Sequence, residues 1–410
     1  MLFMNRHADL LKQIFPLPCH DRIFLVGGIV RDILLGQEGQ DIDLAAALSP
    51  DELSSSGFRL VTGKSTAPIW LLHDPAFGKI ELTAIPDCAA LTDDLARRDF
   101  TINAIAMNLD GEIIDPMNGR RDLELHLLRA CSPESFQDDP LRIFRALRFE
   151  ACGWEMTAET EVLIRTGETN VPLLKIPVER FSREMLKALE SAGPERYFQR
   201  MLELNVGQSF LPELFRFPSI PAGPPIHHPE GDLFTHSCQV LRRVSLTTDN
   251  PLTRFCAFFH DIGKLATDPA DYPKHHGHDR AGFQLAIDFC DRLRLPANYR
   301  IALAWISRLH GKLNIWDEQR DATKLRMAGR AMKAGIEKIL PLVSGADKFA
   351  GQEYNGWWEA VRISGLTTSE LGIDRVRLEE MKEEKRGDYI LQKRVELFRG
   401  SSATAPASPL

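Results

Sequence analysis

VGGIVRDILLGQEGQDIDL, residues 26–44, sets the first constraint on the fold. Val26 closes an apolar run that begins at Ile23, and Gly27-Gly28 breaks it. Ile29, Ile33 and Leu34 then recur at helical spacing, and Gly36 ends the run, so the stretch predicts strand, glycine turn and short helix. From Gln40 to Ala45 acidic and apolar residues alternate. On an extended strand, side chains two apart share a face, which puts Asp41 and Asp43 together. Adjacent carboxylates repel unless hard cations lie between them. A glycine-opened helix start also offers free N–H groups and a positive dipole end, the conditions for holding phosphate, with Gly28 and Arg31 nearest. A lone D-x-D is common on solvated strands, and the glycine pair only brings the two readings level; the decision rests downstream.

The chain has 410 residues, 44% hydrophobic and 26% charged, which suits two to four soluble globular domains. No apolar run reaches membrane-span length and no secretory signal opens the sequence, so the expected location is cytoplasmic. The seven cysteines (Cys19, Cys88, Cys131, Cys152, Cys238, Cys256, Cys290) stand singly, odd in number and with no C-x-x-C, so neither a zinc knuckle nor a disulfide framework is indicated. A net charge of −7 argues against indiscriminate nucleic-acid binding but permits a local basic groove. Short apolar runs at Ile23–Val26, Ile69–Leu72 and Ile80–Ile85 predict an α+β unit up to about residue 130. Helical periodicity dominates from about residue 138. FPSIPAGPPIHHPEG, residues 217–231, is the best linker candidate, and the closing SSATAPASPL has the composition of a disordered tail.

Further chemistry gathers at LARRDFTINAIAMNLDGEIIDPMNG, residues 95–119, where Arg97, Arg98, Asp99 and Asn103 precede the apolar Ile102, Ala104, Ile105 and Ala106. A charged helix start would explain R-R-D alone. In QDDPLRIFRALRFEACG, residues 137–153, Arg142, Arg145 and Arg148 fall three apart beside Leu141, Phe144 and Leu147. Such a ladder suits a solvated face or a phosphate-holding one, since guanidinium groups bind phosphate oxygens bidentately.

In order, GGIVRDILLG, DIDL, RRDFTINAIA and DPLRIFRALRF resemble the motifs of class II tRNA nucleotidyltransferases, the CCA-adding enzymes and bacterial poly(A) polymerases, over residues 20–215. The resemblance implies an α+β polymerase-beta-like head at 1–130 and a helical neck at 131–216. It implies two Mg²⁺ ions held by Asp41 and Asp43, with Glu81 of KIELTAI on a neighbouring strand completing the catalytic acids. It implies that Arg98, Asp99 and Asn103 contact the ribose and incoming nucleotide. The E-D-x-x-R element, here Asp138-Asp139-Pro140-Leu141-Arg142, would read the base edge through Asp139 and Arg142, which fits cytosine's amine and acceptors. Gly28, Arg31, Arg145 and Arg148 complete the expected nucleotide-binding set. In VERFSREM, residues 178–185, Glu179, Arg180 and Arg183 fit a structural role better than a phosphate-facing one. Expected partners are CTP, ATP for a complete CCA-adding enzyme, and the tRNA 3′ end.

One departure bears on specificity. The stretch LTAIPDCAALTDDLA between Glu81 and Arg97 is shorter than in most CCA-adding relatives, which carry there a flexible charged loop used to switch from cytosine to adenosine. Relatives lacking it add only two cytidines, so the resemblance implies a CC-adding enzyme, with complete CCA addition as the alternative.

HPEGDLFTHSCQVL, residues 228–241, and RFCAFFHDIGKLATD, residues 254–268, raise a second chemistry. A lone helical histidine such as His236 is usually a core residue. The pair His260-Asp261 after an apolar run, with His236 one helix earlier, is a mixed nitrogen and oxygen ligand set suited to Mg, Mn, Ni or Co. This resembles the HD phosphohydrolase superfamily, implying an all-α HD domain at 217–360 and a helical tail at 361–410. Asp347 is the expected distant ligand; His278 and His310 are candidates to extend the site. The intact motif favours phosphodiesterase or phosphatase activity over a degenerate tRNA-binding fold. Two further readings compete: a poly(A) polymerase, whose relatives carry a basic C-terminal extension that this chain lacks, and an HD nucleotide hydrolase with a regulatory head. Intact Asp41, Asp43 and Arg98 speak against the latter.

Overall fold

A computed structural model describes residues 2–39, 41–61, 68–75, 78–167, 173–348 and 353–404. They fall into two compact units, Met1–Ile176 and Pro177–Leu410.

Unit 1 is built on a seven-stranded sheet: β1 Ile23–Val26, β2 Ile42–Ala46, β3 Arg59–Val61, β4 Ile69–Asp74, β5 Gly78–Ala84, β6 Ala106–Asn108 and β7 Ile113–Ile114. Their order is β3-β4-β5-β2-β1-β6-β7, with β2 and β5 the parallel pair and the other neighbours antiparallel. Both faces of the central strands are buried, which is why their sequence reads as continuous apolar runs. Ile23, Leu25, Leu44 and Ala46 enter one core with Phe15 and Phe58; Phe24, Val26 and Ala45 enter another with Leu91 and Leu95. Asp43 alternates with Leu44 and so shares the face of Ala45.

The opening motif folds as expected from its spacing: strand to Val26, turn at Gly27, helix Gly28–Leu34, and Gly36 in a left-handed conformation after it. The strand carrying the aspartates starts at Ile42, so Asp41 stands just before it; Gln40 lies outside the described residues. R-R-D does not start a helix. The helix Leu91–Ala96 ends before it, and Thr101–Asn103 forms a 3₁₀ turn after it.

Unit 2 is helical among its described residues. The helix Pro251–Phe259 is almost entirely buried, and Phe258 stacks on Phe198 with ring centroids 3.9 Å apart. The proline-rich segment 217–231 is an ordered strap. Pro221 bridges to Asp232, the Pro221 carbonyl accepts from His275 at 2.7 Å, and the Ala222 carbonyl accepts from Lys264 at 2.5 Å. Of the tail called disordered above, residues 401–404 continue the helix Glu383–Thr404, and 405–410 lie outside the described residues.

Gly263, two residues after Asp261, lets two backbones meet. A Cβ there would lie 2.0 Å from the His278 carbonyl oxygen and 2.8 Å from the Gly282 Cα. Backbone atoms cannot rotate away, and overpacking of this kind costs about 1–3 kcal/mol. Gly263→Ala should therefore lower the thermal unfolding midpoint by several degrees, read by circular dichroism; an unchanged midpoint would show that the contact is not limiting.

Candidate active sites

In unit 1 the parallel register sets Asp43 directly beside Glu81. Gly27 shows how near the glycine turn comes to them: a Cβ there would lie 2.8 Å from Arg98 Nη1 and 3.4 Å from Asp43 Oδ2, at φ +79°. Only glycine permits both that backbone angle and that approach. Burial pushes the Asp43 carboxyl up to about 6; Arg98 opposes the shift while Glu81 and Asp41 add to it. Asp41 is exposed. Glu81 is ion-paired to Lys79 at 2.7 Å, and the three carboxylates do not gather into a cluster within 4.8 Å of one another. Hard oxygen donors from two neighbouring strands, one with an upward-shifted carboxyl, fit a hard divalent cation such as Mg²⁺.

Around them lies a guanidinium framework. Arg98 reaches Asp94 at 3.1 Å, and its Nε is buried with no hydrogen-bond partner. Asp99 is buried, accepts from Asn103 at 3.0 Å and the Phe100 amide at 2.9 Å, and pairs with Arg145 at 2.8 Å. Burial opposes its charge, but Arg145 and the hydrogen bonds outweigh that and hold its carboxyl below the usual range. Arg31 donates to Asn103 at 2.7 Å and to Asp32.

The Arg ladder occupies one helix, Leu141–Ala151, but its members face different partners. Arg142 donates to the carbonyls of Arg97 and Arg98 and to Ser135; Arg145 takes Asp99; Arg148 lies over Phe149 at 4.8 Å. Asp139 accepts from the Leu141 amide at 3.2 Å. The segment from Glu81 to Arg97 is fully built: β5 runs to Ala84, a 3₁₀ turn covers Cys88–Ala90, and the helix Leu91–Ala96 packs Leu91 and Leu95 inward.

In unit 2 the expected ligands converge. His236 Nε2 is 3.1 Å from Asp347 Oδ1, 3.4 Å from His260 Nε2 and 3.7 Å from Asp261 Oδ2. His260 Nε2 is 3.2 Å from Asp261 Oδ2 and 3.7 Å from Asp347 Oδ1. On the other side of the same carboxylate, Asp261 Oδ1 is 3.5 Å from His278 Nε2 and 3.3 Å from His310 Nε2, yet has no hydrogen bond.

The tautomers follow from what holds the other ring nitrogens. His260, His278 and His310 each donate Nδ1–H to a backbone carbonyl, of Ala257, His275 and Ile306, and His236 donates to Glu230 at 2.7 Å. The Nε2 lone pairs are left facing the centre, as metal-binding imidazoles require. Without a cation, protons must occupy that space. Burial opposes charge on His260, but Asp261 and Asp347 outweigh it and raise its pKa to about 10; both carboxyls are held well below their usual range. Buried imidazole and carboxylate donors fit a divalent transition metal.

Three polar residues here escape motif reading. Glu230 joins His236 to His228, at 2.7 and 2.9 Å. Lys264 sits 2.6 Å from Asp261 Oδ2. Asn314 donates to Asp347 Oδ2 at 2.5 Å. The signal for Lys264 was its place one turn after Asp261; Glu230 and Asn314 offered none.

These two centres define a nucleotidyltransferase head and an HD-type metal domain. Comparison agrees: the Poly A polymerase head domain matches residues 23–66 and 74–129, the probable RNA and SrmB-binding site of polymerase A residues 155–217, and the HD domain residues 233–349. The multifunctional CCA protein of Legionella pneumophila (strain Paris) is 36% identical over 313 residues, 72% of this chain and 75% of its own length. That of Methylococcus capsulatus is 35% identical over 348 residues, 78% and 80%. The chain belongs to this family of CCA-adding tRNA nucleotidyltransferases with an HD domain. Among solved structures, the Thermotoga maritima CCA-adding enzyme complexed with tRNA shares the fold at TM-score 0.62 and 22% identity, covering 92% of this chain and 87% of its own. The Bacillus stearothermophilus CCA-adding enzyme in complex with CTP does so at TM-score 0.59 and 22%, covering 92% and 88%. Among the described residues no helix is long and apolar enough to cross a membrane.

Asp43 supplies a pH test in metal-free protein. Its folded-state pKa, about 6, lies above the ordinary value of 3.8, so the folded state holds the proton more tightly and stability is lost as pH rises between those values. With EDTA present, Asp43→Asn should melt higher than wild type at pH 7 and equally near pH 4. Equal midpoints at both pH values would remove the strain assigned to this carboxylate.

Proposed function

We propose that the head adds two CMP residues from CTP to the 3′ end of tRNA and leaves the terminal adenosine to another enzyme. The observation that carries this reading is the segment between Glu81 and Arg97, which is consumed by a 3₁₀ turn and a packed helix and leaves no length for a mobile loop. Divalent cations at Asp41 and Asp43 would lower the proton affinity of the tRNA 3′-hydroxyl and stabilise charge on the transferring phosphoryl group. Arg98, beside Gly27, is placed to meet triphosphate oxygens. Asp99 and Asn103, locked together and by Arg145 and Arg31, would hold the ribose. Asp139 would accept from the cytosine amine and Arg142 donate to its ring acceptors. Because Arg142 also grips the Arg97 and Arg98 carbonyls, base reading and phosphate contact are mechanically joined. Adenine offers an amine donor and a ring acceptor but lacks cytosine's carbonyl acceptor and carries a second ring, so accepting it requires that framework to move.

The same reading takes 1–130 as head, 131–216 as neck, 217–360 as HD domain and 361–410 as tail, in a cytoplasmic enzyme. With tRNA ending at its discriminator base and both CTP and ATP, extension should stop after two cytidines on a sequencing gel. Efficient AMP transfer to tRNA already ending in CC would make the protein a complete CCA-adding enzyme.

For the HD centre we infer metal-dependent phosphoester hydrolysis at a two-ion site. Asp261 supports this by dividing its oxygens: Oδ2 toward His236 and His260, with Asp347 opposite, and Oδ1 toward His278 and His310. The expected load is two ions of Mg, Mn, Ni or Co type per chain. His260→Ala with Asp261→Ala should abolish hydrolysis of bis-p-nitrophenyl phosphate and leave CMP incorporation within about twofold of wild type, since the ligand sets share no residue. Retained hydrolysis in the double variant would reduce the centre to a structural one.

A further inference from the structure

A second charged cavity in unit 2 lies apart from the HD ligands. The helix Asp321–Lys333 packs against the helices Trp357–Gly365 and Glu383–Thr404, and between them is a cavity of about 360 Å³. Its wall holds four cations, Arg326, Arg330, Lys333 and Arg394, and one acid, Asp388. Arg326, Arg330 and Lys333 follow one another at i, i+4 and i+7, on one face of one helix, where like charges destabilise one another. Arg326 approaches Asp388 only at 3.9 Å. Among the described residues no carboxylate lies within ion-pair distance of Arg330, Lys333 or Arg394.

Arg394 is the informative member. It donates to the Leu366 carbonyl at 3.0 Å, its Nε is buried with no hydrogen-bond partner, and burial pushes its pKa down. A partly desolvated guanidinium without a carboxylate partner carries a cost that an anion relieves. The cavity opens to solvent beside it at the exposed Gly387, where an added Cβ would meet nothing within 4 Å. In a chain of net charge −7, such a concentration of positive charge is not an accident of composition.

We propose that the cavity between the Asp321–Lys333 and Glu383–Thr404 helices binds a phosphate group, held by Arg330, Lys333 and Arg394. Gly329 and the buried Ser364 line it with little bulk, leaving room for a compact tetrahedral anion, and its volume admits nothing much larger than a mononucleotide. The phosphate belongs either to a free small anion or to an RNA backbone, and the site stands whether or not the head is CC-specific.

Isothermal titration of the full chain with inorganic pyrophosphate in EDTA, which removes metal-assisted binding at the two acidic centres, tests the free-anion source. Filter binding of tRNA lacking its CCA end, across a salt series, tests the backbone source. The variants are Arg330→Glu with Lys333→Glu, both exposed and so expected to fold, and separately Arg394→Gln. A free anion predicts pyrophosphate binding weakened about tenfold or more in both variants with tRNA binding unchanged. A backbone phosphate predicts that the slope of log affinity against log salt falls by about 1.5–2 in the double variant. Wild-type pyrophosphate affinity together with an unchanged tRNA salt slope in both variants overturns the proposal.

Discussion

The carboxylate of Asp261, 2% exposed, meets four imidazoles and one ammonium group, and unit 2 is arranged to keep it there. A carboxylate so buried is tolerable only with its charge matched and its oxygens engaged. His236 comes from one helix, His260 from the end of another, and His278 from the start of a third that Gly263 allows to pack closely. The strap at 217–231 completes the shell from outside. Its carbonyls fix His275 and Lys264, and its one carboxylate, Glu230, fixes His236 and His228. Burial disfavours the Glu230 charge, but those two imidazoles outweigh it and lower the carboxyl to about 2.

The head meets the same constraint in the opposite way. Asp41 is exposed and Asp43 partly withdrawn from solvent; Lys79 pairs with Glu81, and the charge of Arg98 opposes the upward shift of Asp43. What is rigid there is the support. Arg31, Asn103, Asp99 and Arg145 form a continuous chain of hydrogen bonds and an ion pair anchoring the R-R-D segment. Such a chain fixes where Arg98 begins while leaving its guanidinium available to a ligand.

Much of this was legible in the sequence because periodicity and motif spacing encode it. The strand, turn and helix at residues 23–36 follow from apolar spacing and two glycines, and the convergence of His236, His260, Asp261 and Asp347 was anticipated through the HD resemblance. Contacts made by backbone atoms were not legible. The segment 217–231 has linker composition, yet it works through the carbonyls of Pro221 and Ala222, which no residue type announces. Arg142 illustrates a similar limit: its spacing from Arg145 and Arg148 suggested one shared face, whereas it turns to the carbonyls of Arg97 and Arg98. Asp41 and Asp43 were read on one strand face, and the strand begins between them because Asp41 lies outside the β2 ladder.

The two centres also differ in the donors they offer a cation. The head's candidate ligands Asp41, Asp43 and Glu81 offer only carboxylate oxygens, with Asp41 exposed, which suits a hard ion. The HD centre offers four imidazole nitrogens with fixed tautomers and two carboxylates, all largely withdrawn from solvent, which suits a slower and softer ion. Affinity order alone would send a transition metal to the imidazoles first, and Mg²⁺, present in excess in cells, would be left for the carboxylates. The two donor sets share no residue, so their preferences for hard and softer ions are set independently within one chain.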